Sequence, residues 1–158
     1  MPDDENNKNA EKGRQLAALF AFFNEIGIIN QLSSTMFQKR LADGVTVAQF
    51  SVLNHLTRVQ DGQTPLALAS AFQVPKTTMT HTLAGLSTRG LIEMRPNAED
   101  GRSKIVFLTD AGRTFREQSI ASLIPDLSRL EASLDIQEMT EMIPALSKVR
   151  SILDADRD

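Results

Sequence analysis

The apolar pattern changes period at Gly90. Before it, apolar residues recur at helical spacing; after it, "LIEMR" and "KIVFLT" read as two short strands. The connection between them, Pro96 to Ser103, is longer than a tight hairpin needs. It begins acidic, with Glu99 and Asp100, and ends basic, with Arg102 and Lys104. A plain helical bundle is therefore excluded, because helices must lead into a two-stranded hairpin and resume after it.

The helices on either side follow from caps and spacing. From Arg14 to Leu41, residues such as Leu16, Phe20, Phe23 and Ile29 give a long helix with a wide apolar face, closed by Asp43-Gly44. Thr46 caps a second helix, which carries Phe50, Leu53 and Leu56. "TPLALASAF" puts Thr64 at an N-cap and Pro65 at the first helical position of a short third. Val74-Pro75 opens a fourth, which stops at Gly90. Beyond the hairpin, Thr109-Asp110 caps one further helix with Phe115, Ile120, Ile124, Leu127, Leu130 and Leu134 as its spine. A last helix runs from Ile136 to Leu153, with Pro144 placed to kink it.

The predicted class is mostly α with a small β-hairpin wing. Residues 43–112 form a winged helix-turn-helix, residues 14–42 and 113–158 are helices that pair two copies of the chain, and residues 1–13 are a disordered tail. Two copies are expected because the end helices carry more apolar face than a lone chain of 158 residues covers. The opening stretch is polar and acidic, unlike a secretory signal, and no apolar run approaches the length of a membrane span. With no cysteine, disulfides and thiolate zinc sites are excluded. A cytoplasmic protein with no membrane partner and no cofactor is expected. The net charge of -3 argues against an indiscriminate nucleic-acid coat but not against a local basic face.

The fourth helix has that local character. Met79, Leu83 and Leu86 share one face; Thr77, Thr80, His81, Ala84 and Thr88 share the other, with Lys76 and Thr78 in the first turn. No acid lies between Lys76 and Arg89. Such a face suits the major groove, where hydroxyls meet base edges and phosphates, and a threonine methyl meets a thymine methyl. The bland alternative is a solvated face rich in threonine. His81 and His55 lie on different helices, so a metal site built on both is not expected. His55 reads as a satisfied, partly buried residue.

"RGLIEMRPNAEDGRS" followed by "VFLTDAG" resembles the MarR family of winged-helix transcriptional regulators. The family's wing carries Asp-x-Arg, then a strand ending in Leu-Thr, then a helix opening with an acid and a glycine; here these are Asp100, Arg102, Leu108, Thr109 and Gly112. The resemblance implies a homodimer on double-stranded DNA, probing the minor groove with Arg102. Asp100 supports the wing through an ion pair or an Asx-turn. Arg95 and Lys104 are candidate phosphate contacts. The resemblance further implies a small aromatic or anionic effector between the dimerisation and DNA-binding parts, and repression as the outcome. The chain departs from the family at Gly101, where a second arginine is common, at Pro75, where serine is common, and at His81, where a basic residue is common. A winged helix that binds protein instead of DNA is the main rival. An enzyme is disfavoured, since there is no glycine-rich phosphate loop and no cysteine nucleophile.

Overall fold

The computed structural model describes residues 2–98 and 100–156; Met1, Glu99, Arg157 and Asp158 lie outside the described residues. The chain forms two compact units, residues 1–119 and 120–158. The first contains α1 (Pro2–Gln38), α2 (Val47–Arg58), α3 (Pro65–Ala71), α4 (Lys76–Thr88), β1 (Ile92–Pro96) and β2 (Lys104–Leu108). Helix α5 (Asp110–Ala121) reaches the boundary, and α6 (Ile124–Glu131) with α7 (Ile136–Ala155) make up the second.

The expected caps are in place. The Thr46 hydroxyl accepts from the Gln49 amide while the Gln49 side chain accepts from the Thr46 amide, a reciprocal capping box. Thr64 Oγ1 accepts from Ala67 N, with Pro65 next to it at the helix start. Thr109 does two jobs: its hydroxyl accepts from Gly112 N and donates to Gly90 O.

β1 and β2 pair antiparallel, with Ile92 opposite Leu108 and Pro96 opposite Lys104. Gln63 bridges to Val106 as well, so β2 has a partner beyond β1. The buried faces of α2, α3 and α4 close over this ribbon through Leu53, Leu56, Leu68, Leu83, Leu86, Ile92 and Val106. Alternation along β2 puts Val106 and Leu108 inside. Each fully buried leucine or valine contributes roughly 1.5–3 kcal/mol of burial free energy.

Asp61 ties the turn after α2 to this core. Its Oδ1 accepts from Gly62 N and from Leu108 N, and its Oδ2 pairs with the Arg113 guanidinium at 3.1 Å. The turn at residues 60–63, "QDGQ", is thus a junction of α2, β2 and α5.

Four expectations need correction. Helix α1 begins at Pro2, so it takes in residues 2–13, which the sequence reading assigned to a disordered tail. Lys8, Ala10, Glu11 and Lys12 are good helix formers and continue the run that starts further on. It also stops at Gln38, short of Leu41, because the Gln38 amide turns to the next loop, donating to Val45 O and accepting from Val47 N. The expected single helix after the hairpin is broken between Ala121 and Ile124. Pro125 lacks the N–H that would bond to Ala121 O, and its ring clashes with that carbonyl, so a new helix starts instead. Finally, Asn7–Gln38 is long and apolar enough, by length and composition, to cross a membrane. Asn24, Glu25, Asn30 and Gln31 interrupt the apolar residues, so no unbroken apolar run of that length exists in it. A carboxylate such as Glu25 is costly in a bilayer.

Helix α7 continues through Pro144. The apolar side chains of α1 lie all round it rather than on one stripe. Phe20 is 75% exposed, Ile29 61% and Leu32 65%. At the C-terminal end Phe37 stacks edge-on against Phe50, with ring centres 4.5 Å apart.

Candidate nucleic-acid interface

Helix α4 buries Met79, Leu83 and Leu86, as its spacing requires. Lys76, Thr77, Thr78, Thr80, His81 and Ala84 are exposed. Lys76, Thr77, Thr80, His81 and Ala84 line an open concavity of about 440 Å³. Pro75 stands at the N-cap without a side-chain hydrogen bond, so among the described residues the N-cap side chain leaves the first amides of the helix uncapped. Free amides at a helix start favour an anion.

The hydroxyls are less available than their number suggests. Thr80 donates to Lys76 O at 2.8 Å, Thr82 to Thr78 O at 3.0 Å and Thr88 to Ala84 O at 2.9 Å. Each keeps acceptor lone pairs and a methyl group for a partner. Arg89, the cation just past the end of α4, is exposed but engaged with backbone. Its guanidinium donates to Gly85 O, Asp43 O and Gly44 O, joining the end of α4 to the loop after α1. Asp43 and Gly44 both have positive φ, at 56° and 66°, which aims their carbonyls away from a helical path.

The wing loop is shaped by Asp100. Its carboxylate accepts from Arg102 N at 3.0 Å, an Asx-turn, and its carbonyl accepts from Ser103 N and Ser103 Oγ. Asn97 Nδ2 donates to Ser103 Oγ across the loop. Of the two supports expected for the wing, the turn is present. No ion pair between Asp100 and Arg102 occurs among the described residues, and the Arg102 side chain stands exposed. Lys104 is exposed at the start of β2.

Arg95 is engaged already. It pairs with Glu93, and its guanidinium carbon sits 4.7 Å from the Phe107 ring centre. Glu93 and Arg95 are two apart on one strand and so share a face, a signal present in the sequence. The Arg89 tether had no local signal, since Asp43 and Gly44 lie far off in the chain. His55 also departs from expectation. It is half-buried beside Phe72, and its Nε2 has no hydrogen-bond partner among the described residues.

Comparison with known proteins places this geometry. A family model described as MarR family matches residues 43–103, the segment from the α1–α2 loop to the wing. The chain is 29% identical over 107 residues to the transcriptional activatory protein BadR of Rhodopseudomonas palustris, covering 66% of this chain and 61% of that protein. MarR from E. coli in its apo form superposes with a TM-score of 0.68 at 29% identity, covering 80% of this chain and 94% of that one. A mutant E. coli MarR complexed with operator DNA gives 0.68 at 28% identity, covering 83% and 94%. Helix-turn-helix, hairpin, wing motif and these likenesses agree: the chain is similar to the MarR family of winged-helix transcriptional regulators, whose model its residues 43–103 match.

Proposed function

We propose that the chain binds double-stranded DNA sequence-specifically, as a homodimer on a pseudo-palindromic site, and represses transcription by occupying it. The observation that carries this reading is the exposed, acid-free face of α4, with uncapped amides at its start, in the same unit as a wing whose Asx-turn leaves Arg102 exposed. The operator-bound relative supports it by likeness. Lys76, Thr77, Thr78, Thr80 and His81 then face the major groove, Arg102 the minor groove, and Lys104 a phosphate. Arg95 reaches phosphate only by leaving Glu93, so it contributes less than a free arginine. Asp100 acts indirectly, by holding the loop.

The exposed apolar side chains of α1 support pairing of two copies, together with the helices of residues 113–158. Two-fold pairing sets two α4 helices about one DNA turn apart. A small aromatic or anionic effector releases the DNA if it binds the DNA-free state more tightly. This reading places the protein in the cytoplasm and assigns it no enzymatic step.

The test is selection of bound fragments from genomic DNA, followed by titration of the enriched site in rising salt. Affinity is expected to fall steeply with salt, and Arg102→Ala to weaken specific binding by about 1–3 kcal/mol. Equal binding by parent and variant across the salt range removes Arg102 from the interface. No enriched site at low salt favours the protein-binding winged helix instead.

A further inference from the structure

The side chains that most often read bases in the major groove are nearly absent from α4. Arginine reads guanine and asparagine or glutamine reads adenine, each through two hydrogen bonds. Between Lys76 and Thr88 there is no Arg, Asn or Gln, and Arg89 is held on three backbone carbonyls. Lys76 and His81 remain for purine edges. The rest of the concavity is Thr77, Thr80 and Ala84. Thr80 has its hydroxyl proton committed to Lys76 O, so it offers a partner its γ-methyl and a lone pair. Ala84 offers only a methyl.

We infer that this helix identifies its DNA chiefly by thymine 5-methyl groups, packed in the concavity against the methyls of Thr80 and Ala84. The inference rests on the DNA-binding reading and adds to it the base feature recognised. Thymine is the one base with an apolar group in the major groove, and contact with it needs shape and dryness rather than a hydrogen-bond donor. Discrimination by a methyl is modest, roughly fourfold per buried group. It has a distinct chemical signature, since deoxyuridine pairs like thymidine and differs only at that carbon.

The experiment uses the full chain and a random-sequence duplex pool. After selection, each thymine of the enriched duplex is replaced singly by deoxyuridine and affinity is measured at fixed salt. At one or two positions in each half-site the replacement is expected to weaken binding roughly fourfold. Thr80→Ser keeps the hydroxyl and loses the methyl; in that variant the penalty at one of these positions should shrink toward none. A flat uridine scan of an enriched duplex overturns the inference while leaving DNA binding intact. An undiminished penalty in both Thr80→Ser and Ala84→Gly overturns it too. Failure to enrich any duplex removes the DNA-binding reading, and this inference with it.

Discussion

Gly112→Ala is expected to destabilise the winged helix by roughly 3 kcal/mol or more, the upper end of overpacking costs. A Cβ at this position would lie 2.0 Å from Leu91 O and 3.0 Å from Leu91 C. Both are backbone atoms, and Leu91 O also accepts from Thr109 N at the start of α5. Neither side can yield without parting α5 from the strand it abuts. Gly85→Ala is the control. There the nearest atom, at 2.2 Å, is Gln49 Nε2, the far end of a flexible side chain. Gln49 can swing away, losing its capping bond to Thr46 N, while alanine improves the helix by about 1 kcal/mol. The net change at Gly85 is therefore expected within about 1 kcal/mol of zero. Urea unfolding of both variants at one protein concentration separates the two cases. A Gly112→Ala midpoint equal to the parent's shows that α5 does not hold its start against Leu91.

Asp61→Ala is expected to cost roughly 2–3 kcal/mol, because it takes a charged acceptor from the amide of buried Leu108 and from Gly62 N. The Arg113 pair adds little, being largely exposed. Asp61→Asn distinguishes these parts. Its carbonyl oxygen can still accept from both amides, so only the ion pair is lost, and the expected cost is under about 1 kcal/mol. If Asn destabilises as much as Ala in the same unfolding assay, the charge pair and not the backbone bonds holds this junction.

These residues show where reading from sequence reached its limit. Caps at Thr46, Thr64 and Thr109 are local chemistry, decided within three or four residues, and were legible. So were the hairpin and the buried stripe of α4, because period and burial coincide there. The Asx-turn at Asp100 was one of two stated options, and local spacing could not choose between them. Asp61 carries no local signal of its role, because its partners, Leu108 and Arg113, lie beyond two helices and the wing. The Arg89 tether is hidden for the same reason, since Asp43 and Gly44 are distant in the chain. The break before α6 is different: Pro125 is local and its missing N–H marks the break, but the apolar spine runs on through it. The role of Gly112 came from family likeness alone until the carbonyl beside it supplied the reason.

The apolar girth of α1 also has a thermodynamic consequence. Under the two-copy reading, the surface that shields Phe20, Ile29 and Leu32 is a solute subject to mass action. Melting temperature should then climb with protein concentration, and dilution alone should loosen the molecule. A regulator so built carries a gauge of its own abundance, with no added ligand required.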